Sequence, residues 1–158
     1  MPNNVSDMKA AKVYNAVLDA AKSITFANGY NTQPMVVENR DAYNLESYKH
    51  IIEVYEADPY LTVVPHDADA SLTLLIDQGL KVVGWAAGER GDVMVELHKL
   101  MQDTLAAIHG AAATICAAGG SCGFQISSVV TDQGLLFNRG TATFDFTVTV
   151  RYFQDASW

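Results

Sequence analysis

The densest group of chemistry-bearing side chains in this sequence is His66-Asp67-Ala68-Asp69, one imidazole and two carboxylates within four residues. Such groups hold a metal or perform general acid–base work when ligands from other elements converge on them. Here the other histidines, His50, His98 and His109, are scattered, and no HExxH pair appears. The quartet therefore reads as a solvated acidic turn, and no metal site is expected. His98, beside the apolar stripe of a helix, reads as a partly buried, satisfied histidine. The nucleophile candidates are Cys116 and Cys122, in a Gly/Ala loop with no adjacent basic residue to depress a thiol pKa. Two cysteines are too few for a disulfide framework and fit no zinc spacing, so both read as free thiols. Gly119-Gly120-Ser121-Cys122-Gly123 resembles a phosphate-cradling loop but lacks the closing Lys-Ser/Thr. It also follows a helix and precedes a strand, the reverse of what such a loop requires. No positive case for an enzyme emerges, and no cofactor is expected. The enzymatic alternative is a small α+β metal-dependent hydrolase built on His66, Asp67 and Asp69.

The elements that must position these residues follow from composition and period. At 158 residues, the chain is long enough for one domain, residues 1–158, with its own core. Its 49% hydrophobic and 18% charged content is that of a globular protein. A net charge of −8 and the absence of any Lys/Arg cluster exclude a surface that grips phosphates. No apolar run reaches the length of about 18 residues that a membrane helix needs. The N-terminus lacks a basic-then-apolar signal layout, which predicts a chain kept in a cytoplasm.

The clearest element is residues 141–153, where alternation is unbroken. Ala142, Phe144, Phe146, Val148, Val150 and Tyr152 fall on one face, and Thr143, Asp145, Thr147, Thr149 and Arg151 on the other. This predicts a strand with an apolar face under helices and a threonine-rich face toward water or another subunit. Upstream, Ser6 and Asp7 offer caps for a first helix carrying Tyr14, Val17, Leu18, Ala21 and Ile24, ended by Asn28-Gly29. Pro34 leads into a short strand over 35–38. Residues 39–59 are expected to be helical, capped by Asp41, with Leu45, Tyr48, Ile52 and Tyr55 on one side and a stop at Asp58-Pro59, the alternative being a strand somewhere in this Tyr- and Ile-rich stretch. A strand over 60–64 follows, then an acidic turn, then strands 71–76 and 80–86 joined by a hairpin at Asp77-Gln78-Gly79. Asp92 is a cap for the second helix, with Met94, Leu97, Met101, Leu105 and Ile108 as its stripe and Gly110 as its end. Ala-rich sequence after Gly110 can extend the helix, but the glycine pair ends it before Ser121. A strand over 124–131 and an apolar-tipped turn lead to the final strand. This order predicts an α+β fold: a mainly antiparallel sheet with two main amphipathic helices on one face.

Taken together, the layout resembles the tail terminator (tail-completion) proteins of long-tailed bacteriophages. The residues that carry the likeness are the opening helix with its Gly29-Tyr30 stop, the entry Pro34-Met35-Val36, and the helix over 93–108 after paired strands. The closing Phe144-x-Phe146-x-Val148-x-Val150-x-Tyr152 strand completes it. The likeness spans most of the chain and is one of pattern and order, with residues 39–59 and 111–123 as additions to a minimal member. It implies a structural virion protein rather than an enzyme, forming a hexameric ring that caps the tail tube and ends its polymerisation. Such a ring docks the neck or head connector, is assembled in the host cytoplasm, and resides in the virion tail near the neck. The implied partners are other copies of the chain, the tail tube protein, a neck or head–tail connector protein and a tail sheath protein. DNA passes through the lumen without specific binding, and no membrane is involved. An acidic lumen suits that passage, because like charge gives a polyanion no counterion-release gain. The residues expected at interfaces or in the channel are Asn31, Thr32 and Gln33; His66, Asp67 and Asp69; and Leu135, Leu136, Phe137 and Arg139. The alternative within the virion is another head–tail connector or neck adaptor protein.

Overall fold

The computed structural model describes residues 8–38, 48–65, 73–89, 92–120, 123–132 and 140–155. The elements are α1 (Lys9–Lys22), β1 (Met35–Glu38), β2 (His50–Val64), β3 (Thr73–Ala87), α2 (Val93–Gly110), α3 (Ala112–Gly119), β4 (Gly123–Ile126), β5 (Val130–Asp132) and β6 (Thr141–Asp155). They build a six-stranded sheet in the order β1-β2-β3-β6-β4, with β5 also paired to β6. Among the described residues, only the β1–β2 pair is parallel. The fold is α+β, as the sequence implies.

The register of β6 follows its alternation. Ala142, Phe144, Phe146, Val148, Val150 and Tyr152 are 0–2% exposed and face the helices. Strands β3 and β6 pair along their whole lengths, from Thr73–Asp155 to Ala87–Thr141. Residues directly opposite share a face, so Ile76, Gln78, Leu80, Val82, Gly84 and Ala86 join the same apolar layer. Gly84 has a packing reason: a Cβ there would run into the Phe144 ring opposite it. Helix α1 adds Val13, Val17, Leu18 and Ala21 to this core, α2 adds Val93, Leu97, Leu100 and Ile108, and α3 adds Ile115. Helix α3 can lie against α1 because Gly119 leaves no side chain toward Val13, 2.9 Å from where a Cβ would sit. Gly120, at φ 59, ends α3 where the glycine pair predicts.

Four expectations are corrected. Residues 50–59 form part of strand β2 and not a helix. Ile51, Ile52, Glu53 and Val54 are all buried, so the strand start is covered on both faces and loses its period of two. What remains is a run of Ile, Val and Tyr whose chance spacing imitates a helix. Asp41 and Leu45 lie outside the described residues. Second, Asp77-Gln78-Gly79 is no hairpin but the middle of the unbroken strand β3. Each turn-like residue has a tertiary use. Asp77 pairs with Arg151. Gln78, 0% exposed, donates to the Ala10 carbonyl at 2.9 Å and the Tyr60 hydroxyl at 3.0 Å, and accepts from Tyr152 Oη at 3.0 Å. Gly79 makes room for a bulge: between the Glu56–Leu80 and Leu61–Gln78 pairs, β2 places Ala57, Asp58, Pro59 and Tyr60 opposite Gly79 alone. Pro59 has no N–H for the ladder, which accounts for a bulge at this point.

Third, α1 ends at Lys22; Asn28-Gly29 closes a separate 3₁₀ turn, capped by Thr25, with Gly29 at φ 88. Asp92 precedes α2, but its side chain makes no cap hydrogen bond. Ser6 and Asp7 lie outside the described residues. Fourth, the expected strand over 124–131 is two short ones. Ser127 occupies the gap between them, donating its N–H to the Thr147 carbonyl at 2.9 Å and accepting from the Thr147 N–H through Oγ at 2.8 Å.

Candidate functional site

With all three described helices packed on the apolar side of the sheet, the opposite face is where the structure offers a surface. Half of it, around Val37, Ile51, Glu53 and Thr143, is buried. The other half is open and is organised around two ion pairs. Arg151 grips Asp77 with two hydrogen bonds, Nε to Oδ1 at 2.7 Å and Nη2 to Oδ2 at 2.9 Å. The Arg151 hydrogen bond is the main reason the Asp77 carboxyl is held below the usual carboxylate range. Lys81 meets Asp145 at 2.9 Å. Between the pairs run the half-buried Thr147 and Thr149 of β6. Shallow grooves flank this ridge. One, of about 270 Å³, lies toward Gly123, Phe124 and Gln125. The other, of about 300 Å³, lies toward Ala57, Asp58, Pro59 and Thr62. The open half is thus flat, threonine-rich and charge-paired.

A second constellation ties the loop after α1 to α2. The Asp103 carboxylate, on α2 and 3% exposed, accepts from the Thr32 N–H and Thr32 Oγ1, both at 2.7 Å, and from Asn31 Nδ2 at 3.2 Å. Thr32 is 0% exposed. Gln33 is exposed, and its Oε1 accepts from the Phe26 N–H at 3.2 Å. Further bonds from Asn28 and Tyr30 to Thr25, and from Asn28 Nδ2 to the Ser23 carbonyl, brace the same loop. Phe26 at its tip is 63% exposed. A loop held at this many points is preorganised rather than mobile.

A third group joins the start of β2 to α2. His50 Nε2 lies 2.8 Å from Glu96 Oε2, with Lys49 at 3.2 Å and Lys99 at 3.4 Å from Glu96 Oε1. Burial lowers the His50 pKa, and the hydrogen bond and charge of Glu96 offset that only in part. Burial alone would raise the Glu96 pKa, but hydrogen bonds from Lys49 and His50 outweigh it and the net shift is downward. One imidazole and one carboxylate hemmed in by two ammonium groups make a poor cation site. Among the described residues no group of three or more His, Cys, Asp or Glu side chains is placed to hold a metal ion.

Of the residues singled out in the sequence, Asn31, Thr32 and Gln33 are placed as above. His66, Asp67, Asp69, Leu135, Leu136, Phe137 and Arg139 lie outside the described residues. His98 is exposed, and so not the partly buried histidine expected, because it sits on the solvent side of α2. Cys116 is a free, half-buried thiol on helix α3 rather than in a loop, and Cys122 lies outside the described residues. Sequence reasoning missed Asp103, Glu96 and the Asp77–Arg151 pair. Apart from Lys99 beside Glu96 on the same helix, their partners are 46 to 74 positions away, and nothing in a linear pattern connects them. Compared with protein-family models and with curated proteins, the sequence matches none.

Proposed function

We propose that this chain is a ring-forming structural protein of a phage tail, of the tail terminator kind, which caps the tail tube and docks the neck. The observation that carries the reading is the order of the elements. An opening helix with its glycine-closed turn, a short strand after Pro34, a pair of long antiparallel strands, a second helix and a long C-terminal strand follow one another as the resemblance requires. Correcting residues 50–59 from helix to strand lengthens the paired strands before α2 and keeps that order. A terminator must meet unlike neighbours on its two sides, and a two-layer domain with helices on one side and an open sheet on the other supplies unlike surfaces. The braced loop over residues 26–33 adds a preformed contact with an exposed aromatic side chain, the kind of anchor that dominates protein interfaces. The net charge of −8 suits a ring through which DNA slides without being held.

The expected neighbours are copies of the chain within the ring, the tail tube protein on one side, a neck or connector protein on the other, and a tail sheath protein. Native mass measurement with negative-stain imaging of the purified protein tests the ring, and a six-fold particle is the expected result. In a phage lacking the functional protein, tails are expected to form, grow to irregular lengths and fail to join heads. Tails of normal length that lack heads would favour a connector role instead, and head-joined normal tails would refute both.

A further inference from the structure

Asn28-Gly29 is the one Asn-Gly step in the sequence, and it closes the 3₁₀ turn of the loop that carries Phe26. Asparagine before glycine can modify itself. The glycine nitrogen attacks the asparagine Cγ, its proton leaves with the side-chain amine as ammonia, and a five-membered imide closes. Water then opens the imide at either carbonyl, leaving aspartate or an isoaspartate whose backbone runs through Cγ. Glycine favours the step because no Cβ shields its nitrogen and its backbone turns freely. Ring closure also requires the asparagine Cβ and the glycine nitrogen to eclipse one another about the Cα–C bond.

The folded loop denies each requirement. Asn28 is the last residue of the 3₁₀ turn, whose ψ of about −20 to −30° holds its Cβ and the next nitrogen well apart. The Gly29 N–H is engaged by the Phe26 carbonyl at 3.0 Å, and Asn28 Nδ2, the group that must leave, donates to the Ser23 carbonyl at 2.7 Å. Rotation about the Cα–C bond would carry Gly29 and Tyr30 with it, and both flanks are tied. Thr25 accepts from the Asn28 N–H through Oγ1 and from the Tyr30 N–H through its carbonyl, each at 3.2 Å, while Thr32 is clamped to Asp103. Asn28 and Gly29 are themselves exposed, so water and hydroxide reach them once the turn opens. We infer that Asn28 is a latent self-modification site, silent while the loop is braced and reactive when it opens. The change runs one way. An aspartate at position 28 has no donor for the Ser23 carbonyl and sets a carboxylate against it, and isoaspartate lengthens the turn by a methylene. A loop once opened and modified therefore stays loosened, with an added negative charge two residues from Phe26. This holds whether or not the chain forms a ring.

The test follows ammonia loss at Asn28 by peptide mass spectrometry of the full-length chain at mildly alkaline pH, folded and in urea. The folded protein is expected to react at least about tenfold more slowly than the unfolded one, since only the open fraction reacts. Thr25→Val, which removes the side-chain cap of the turn, and Asp103→Ala, which frees Thr32, are each expected to raise the folded-state rate several-fold and leave the unfolded-state rate unchanged. Where Asp103→Ala fails to fold by circular dichroism, Thr25→Val decides. Hydrogen exchange at the Phe146 and Val148 amides of β6 separates loop opening from global unfolding, and in Thr25→Val it is expected to match wild type. Asn28→Asp is expected to speed exchange at the Gly29 and Tyr30 amides with β6 unaffected. A folded chain that reacts as fast as the unfolded one, a rate unmoved by Thr25→Val, or a rate that rises only together with β6 exchange would overturn the inference. Wild-type loop exchange in Asn28→Asp would overturn its one-way character.

Discussion

Replacing Asp103 by alanine is the sharpest single probe of this fold. Among the described residues, the Asp103 carboxylate is the sole partner of two buried donors on Thr32, its backbone N–H and its hydroxyl, each at 2.7 Å. Thr32 is 0% exposed, so water does not replace what the carboxylate provides. A buried donor left unsatisfied costs about 1–3 kcal/mol. Two such donors set the loss for Asp103→Ala at about 2–6 kcal/mol, with the Asn31 bond at 3.2 Å contributing little because Asn31 is exposed. Thr32→Val removes one donor while keeping the shape, and should cost about 1 kcal/mol. In the double variant the Thr32 hydroxyl is no longer stranded, so the two losses should fall short of additive by about 1 kcal/mol. Urea unfolding followed by circular dichroism measures all three, with the slope against denaturant unchanged if the transition stays cooperative. A loss below about 1 kcal/mol for Asp103→Ala, or strict additivity in the cycle, would mean the loop does not depend on this clamp.

Other expectations follow from the same packing. Phe146→Ala should cost about 3–5 kcal/mol and Thr147→Ala under about 1 kcal/mol, since the two point to opposite sheet faces; equal tolerance in a thermal melt would refute the register. Gly84→Ala should cost about 1–3 kcal/mol through the collision with Phe144, read by the same melt. The His50 pKa lies below its ordinary value of 6.5, so below that pH the unfolded chain takes up a proton that the folded chain resists. Stability should therefore fall as pH drops below 6.5, and His50→Gln should flatten that part of the profile. The Asp77 carboxyl is depressed below its ordinary value of 3.8, so its contribution is present above that pH and lost as pH falls through the folded value. The stability difference between wild type and Arg151→Gln should accordingly shrink on acidification below pH 3.8.

The sequence by itself determined those elements whose side chains meet two different environments. Strand β6 is legible because one face is core and the other is not, and α1 because its apolar residues recur on one stripe. The end of helix α3 is legible because Gly120 takes a left-handed backbone, which is a local property. For α2 the length was legible and the buried stripe only in part: Leu97 and Ile108 are core, while Leu100, Thr104 and Ala107 turn inward where Met101 and Leu105 were expected. That choice depends on where α1 and the sheet stand, which no single helix encodes. The start of β2 was illegible for a related reason, since burial on both faces erases the period that distinguishes strand from helix. Asp77, Gln78 and Gly79 carry the residue types of a turn, and only their partners Arg151, Tyr60, Tyr152 and the opposing bulge make them the middle of a strand. The clamp on Asp103, the His50–Glu96 pair and the neutral open face are likewise products of contacts across 46 or more positions. Local pattern fixes which way a side chain tends to point, whereas what it meets there is set by long-range packing.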